Sequence, residues 1–245
     1  MNGTARPNTD ETRNNDATRR QIVLAALPDI AFDGWSLQVL KQAAKKSGLS
    51  EAHVDALFPG GVNQAIITLA RIADDAMIDT LEAEITDKSD LSIRGRIAKA
   101  IEARLNFLQK HKEAERQAVG RMARPTRTPH VTKSLWKTAD RIWNWAGDQS
   151  EDYNHYTKRV LLSGVLAKTM LYWLQDDEPT FEQTKEFIRR QLDQVVKTSK
   201  MISKVKPGLD FLWRAGQSIK NLGPIKNLRP DRSPSGGSKP NQTRH

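Results

Sequence analysis

Residues 143–159 read WNWAGDQSEDYNHYTKR, and the order of residue types spells a helix end, a corner and a helix start. Gly147 is poor inside a helix and well suited to the position just past its C-terminus. Ser150 can cap free N–H groups, and Glu151 and Asp152 sit favourably at the positive end of a helix. Outward from this corner the apolar periodicity is helical throughout, with no alternating strand pattern. The spacing predicts helices over 18–32, 36–47, 51–58, 62–86, 90–110, 112–122, 131–146, 151–175, 180–200 and 208–222. Ile93, Ile97, Ile101, Leu105 and Leu108 make one stripe with charges opposite. The stretch RMARPTRTPH over 121–130 reads as a Pro-containing basic loop.

The same corner, with its Trp, Ala-Gly-Asp, Ser, Asp, Asn, Tyr-Thr and Arg at fixed offsets, resembles the ninth Coq protein family, accessory proteins of ubiquinone biosynthesis. The match runs on through residues 173–177 and 181–189, and more weakly back to 22–58. The chain departs from it at His155, where the family often has a large aromatic. The resemblance implies a TetR-like all-α fold, a homodimer, and a pocket for isoprenoid or quinone lipids. Trp136, Ile142, Trp143, Leu161, Val165, Leu166 and Met170 are the expected lining. It also implies a partner, the di-iron demethoxyubiquinone hydroxylase. Asp148, Asp152, Asn154, His155, Tyr156 and Arg159 form the candidate docking patch, since a central Tyr and Arg amid polar groups is common at interfaces.

Charge divides unevenly along the 245 residues. The net charge is +10, yet residues 197–245 hold eleven Lys or Arg against Asp210 and Asp231 alone. The remainder is nearly neutral, so a polyanion would meet the C-terminal arm rather than the body. The absence of cysteine excludes disulfides and thiolate metal sites. Val160 to Leu174, the longest apolar run, is interrupted by Lys168 and too short to cross a bilayer. The first sixteen residues lack an apolar h-region and carry Asp10, Glu11 and Asp16, unlike a secretory or import leader. The expected location is the bacterial cytoplasm, peripheral on the inner face of its membrane.

The expected organisation is a disordered tail over 1–17, a helix-turn-helix-like unit over 18–62 and a helical lipid-binding domain over 63–200. An amphipathic helix over 207–222 and a basic disordered tail over 223–245 follow. Residues 25–61 resemble the helix-turn-helix of TetR repressors, with the turn at 47–50 and Ser50 capping the would-be recognition helix. That helix offers Glu51, His53 and Asp55 and no Lys or Arg, whereas major-groove readers need donors and positive charge. Specific DNA binding is therefore not expected.

Two apolar segments point to lipid. The second half of 151–175 is apolar almost all round, which predicts burial at the centre of the domain. In 207–222, Leu209, Phe211, Leu212, Trp213, Ile219 and Leu222 share one face, with lysines and arginines on either side. That is the profile of a helix lying in an anionic membrane interface, where partial burial of large apolar groups yields several kcal/mol. No Walker or Rossmann loop, HExxH motif or nucleophile–base set occurs, and no metal or cofactor site is assigned. The reading is a non-catalytic lipid-binding accessory protein. A ligand-responsive repressor is the alternative, and a general peripheral lipid carrier is the third.

Overall fold

The computed structural model describes residues 9–148 and 153–204, and among them every regular element is helical. The helices are α1 (Thr9–Asp33), α2 (Leu37–Lys46), α3 (Ala52–Leu57), α4 (Gly61–Glu84), α5 (Ile93–Gln109), α6 (Lys112–Met122), α7 (Thr128–Ala146), α8 (Tyr153–Trp173) and α9 (Glu182–Lys204). The long α4 is the spine: it packs on α1 of the N-terminal unit and on α5 and α7 of the larger bundle, while α8 joins α7 and α9. One apolar core runs through all of it, from Ile22 and Leu40 through Leu69, Ile101 and Ile142 to Trp173 and Ile188. The membrane-binding residues expected over 207–222, and the tail after them, lie outside the described residues, as does Asp152.

Several helix ends follow from their capping residues. Ser36 accepts the Val39 N–H at 3.1 Å and starts α2, and Ser92 accepts the Gly95 N–H at 3.1 Å and starts α5. At the end of α2 the chain turns through Gly48 at φ +73°, and the Leu49 N–H closes on the Ala44 carbonyl at 2.9 Å. This left-handed step favours glycine. Trp35 then donates its indole N–H to the Ala114 carbonyl at 2.8 Å, tying the N-terminal unit to α6.

Four expectations change. Residues 9–17 are helical, not a disordered tail. Asp10 and Glu11 occupy the first turn of α1, Asp16 takes both guanidinium nitrogens of Arg71 at 2.9 and 3.0 Å, and Arg20 pairs with Asp75. These pairs dock the start of α1 onto α4. The basic loop is short, because α7 already begins at Thr128 with Pro129 in its first turn, a position that needs no N–H donor. α8 is not buried all round: Val160 and Leu171 are 38% and 53% exposed. Finally, α3 has only six residues, and Ser50 does not cap it, since its N-cap is Glu51 with no side-chain hydrogen bond. Its carboxylates face home: Asp55 meets Lys41 at 2.8 Å and Glu51 meets Lys45 at 3.9 Å.

Candidate functional site

Between α4, α5, α6, α7 and α8 lies a cavity of about 270 Å³. Its wall is largely aliphatic, with Ile66, Ile101, Leu105, Val119, Leu135 and Leu166 prominent, and space remains where Ala70, Ala118 and Ala167 stop at Cβ. Ala123 and Leu171 belong to the wall and are also solvent-exposed, so the cavity reaches the surface there.

Polar groups break this wall in one region. Arg104, from the apolar face of α5, donates to Asp74 of α4 at 2.8 Å, and both side chains are buried. Thr138 of α7 donates to the same carboxylate at 2.9–3.0 Å. Beside this triad stands Glu115 of α6, whose carboxyl accepts no hydrogen bond from any described side chain. It lines the cavity and is part-buried. Burial drives the Glu115 pKa above the ordinary value of 4.5; the Arg104 charge opposes this and the Asp74 charge adds to it. Thr169 of α8 is also on the wall, and its buried Oγ1 has no partner among the described residues.

The sign of the Glu115 effect is testable. The folded state holds the Glu115 proton more tightly than the unfolded chain does. Its contribution is therefore complete below the unfolded pKa and is lost as pH rises through the folded one. Glu115→Gln, which never ionises, should gain stability over the parent as pH rises from about 5 to about 8. Urea unfolding at both pH values would show this as a widening gap between midpoints. A constant gap would mean that the carboxyl is not held protonated.

The structure places two of the seven expected lining residues, Leu166 and Met170, on the cavity. Ile142 and Val165 are closed into the core, at 0% and 3% exposure, because they face α7–α8 packing rather than the gap. Leu161 is half-buried outside it. Trp143 donates its indole N–H to the Lys158 carbonyl at 3.2 Å, with the Lys158 ammonium 5.3 Å from its ring. Trp136 pairs with Tyr156 at 6.0 Å between ring centroids. The missed residues had a signal: Arg104 and Glu115 are charges beside apolar stripes, a costly placement on a core-facing helix.

The α7–α8 corner is a brace more than a patch. Gly147 ends α7 at φ +89°, and the last carbonyls of α7 receive Lys88 at 3.0 Å and Arg96 at 2.8 Å. Arg159, expected to meet a partner, is 1% exposed. Its guanidinium binds Asp140 at 2.5 Å, Asn144 at 3.0 Å, Asp148 at 3.1 Å and the His155 carbonyl at 3.2 Å. The Asp148 side chain is buried too, at 4% exposure, and also takes Lys158 at 2.7 Å. Neither can reach a partner, because each spends its hydrogen bonds joining α7 to α8. His155 and Tyr156 are half-buried with their rings 5.1 Å apart, and keep some accessible surface. Asn154 lies in the first turn of α8, with its side chain outside the described set.

Comparison with known proteins bears on both regions. A model of the COQ9 family matches residues 128–199, the segment that supplies the α7 and α8 walls of the cavity and the corner. The mitochondrial ubiquinone biosynthesis protein COQ9-A of Xenopus laevis is 28% identical over 220 residues, covering 86% of this chain and 69% of that protein. The mitochondrial COQ9 of Homo sapiens is 27% identical over 233 residues, covering 90% of this chain and 72% of its own length. Among solved structures, a TetR transcriptional regulator from Nitrosomonas europaea aligns with a TM-score of 0.59 at 20% identity, over 74% of this chain and 98% of that one. This last likeness concerns the fold alone.

Proposed function

On the premise that this chain carries a COQ9-family domain within a TetR-like all-α fold, we propose that it is a non-catalytic lipid-binding accessory protein. The curated relatives support a role in ubiquinone biosynthesis. The observation that carries the finer reading is the apolar cavity, much of whose wall is formed by the family-matched segment. An isoprenoid or quinone lipid gains there what water denies it, since each buried methylene contributes about 0.8 kcal/mol. The protein works as a homodimer, seated peripherally on the inner face of the cytoplasmic membrane by the segment over 207–222. It presents the lipid to the di-iron demethoxyubiquinone hydroxylase, with Tyr156 and His155 at the contact. Holding an insoluble substrate near the iron removes a desolvation and orientation barrier.

Mass spectrometry of an organic extract of the purified protein tests the lipid reading. A co-purifying quinone or isoprenoid is expected, and an extract with neither would end it. Flotation with anionic liposomes tests the anchor. Ending the chain after Lys206 should leave the protein at the bottom of the gradient, and undiminished flotation would place the membrane contact elsewhere. The repressor reading finds no support in α3, whose acids are spent on the lysines of α2.

A further inference from the structure

The cavity has a size and a polarity that together say which end of a lipid it takes. An apolar cavity of about 150 Å³ holds a benzene ring. At about 270 Å³, this one has room for a substituted ring and little more, and a long prenyl tail would not fit. Arg104, Thr138, Glu115 and Thr169 are polar groups of its wall: Arg104 and Thr138 are satisfied by Asp74, no described side chain bonds the part-buried Glu115 carboxyl, and the buried Thr169 hydroxyl has no partner among the described residues. Buried polar groups ordinarily find partners, so a buried hydroxyl without one, on the same cavity wall as a carboxyl that no described side chain bonds, points to a ligand that brings oxygen atoms. Ser134 adds a third hydroxyl to the wall. A diphosphate head is the wrong chemistry, because the one cation on the wall, Arg104, is already paired with Asp74. A neutral carbonyl or phenolic oxygen suits a carboxylic acid and hydroxyls as donors.

We propose that the lipid enters ring first, with its oxygen-bearing ring against Glu115 and Thr169 and its prenyl tail leaving past Ala123 and Leu171. This rests on the lipid-binding reading above and adds the orientation and the residues that read the head. Glu115 is the principal donor, and Thr169 is the second. The exposed Leu171 then serves as the apolar lip over which the tail passes. The head is thus hidden in the free carrier, and transfer requires the ring to back out.

Calorimetric titration of the full chain with two probes tests this: a benzoquinone bearing one prenyl group, and β-farnesene, a prenyl hydrocarbon without oxygen. Loss of a hydrogen bond from the cavity wall should weaken quinone binding by roughly tenfold. Glu115→Leu is expected to show that loss while binding farnesene as well as the parent does or better. Glu115→Gln, which keeps an N–H donor, should retain most of the quinone affinity. Thr169→Val, nearly isosteric, should cost roughly threefold and covers the case in which the leucine variant fails to fold. If both Glu115→Leu and Thr169→Val bind the quinone as tightly as the parent, the ring-first orientation is overturned while the lipid reading stands. If neither probe binds the parent chain, both fall together.

Discussion

Asp74→Leu should lower the unfolding free energy by about 3–5 kcal/mol, because it strands the Arg104 guanidinium in a place it cannot leave. Arg104 and Asp74 are 9% and 4% exposed at their side chains; of their neighbours, Thr138 gives its hydroxyl to the same carboxylate, and Glu115 makes no hydrogen bond with the guanidinium and has its carboxyl pushed toward the neutral form by burial. Arg104→Met should cost a similar amount by leaving Asp74 charged against one hydroxyl. The double variant is the discriminating one. Removing both charges removes the desolvation burden together with the attraction, so it should be far more stable than either single change. Urea midpoints of the four proteins close the cycle, and additive losses would show that the pair is not coupled.

Arg159→Met should cost about 3 kcal/mol, near the lower end for a buried ion pair, since Asp148 keeps Lys158 when the guanidinium goes. Asp140 and Asn144 lose the guanidinium and keep their mutual hydrogen bond at 3.3 Å. Arg159→Lys should recover little, because one ammonium cannot replace a planar fork that meets four acceptors. The half-buried neighbour gives the contrast. Tyr156→Ala leaves that network intact, so it should weaken capture of the hydroxylase at small cost in stability. Undiminished capture by Tyr156→Ala would move the docking surface away from the corner, and an unaltered thermal midpoint for Arg159→Met would refute the brace.

The dual nature of this corner explains why its residues were misjudged from their order. Asp148 and Arg159 are polar, sit near a chain reversal and match a family motif, all of which suit a surface contact equally well. Their burial depends on α7 and α8 closing side by side, which brings Asp140 and Asn144, one turn apart on α7, to the guanidinium. No local pattern reports that. The end of α7 at Gly147 was readable, because a left-handed residue after a helical stripe is a property of a few consecutive residues.

The amino-acid order by itself determined the all-helical class, the helix end at Gly147, the glycine turn before α3 and the family likeness. Each of these depends on periodicity or on groups within one or two turns of each other. The cavity is different in kind. It exists because five helices with alanines at particular faces fail to fill the space between them, and its chemistry arises because Arg104, Glu115, Thr138 and Thr169, from four helices, converge on that gap. Volume left over by packing, and the pKa of a carboxyl facing it, are properties of the assembled bundle, so only the tertiary structure decided them.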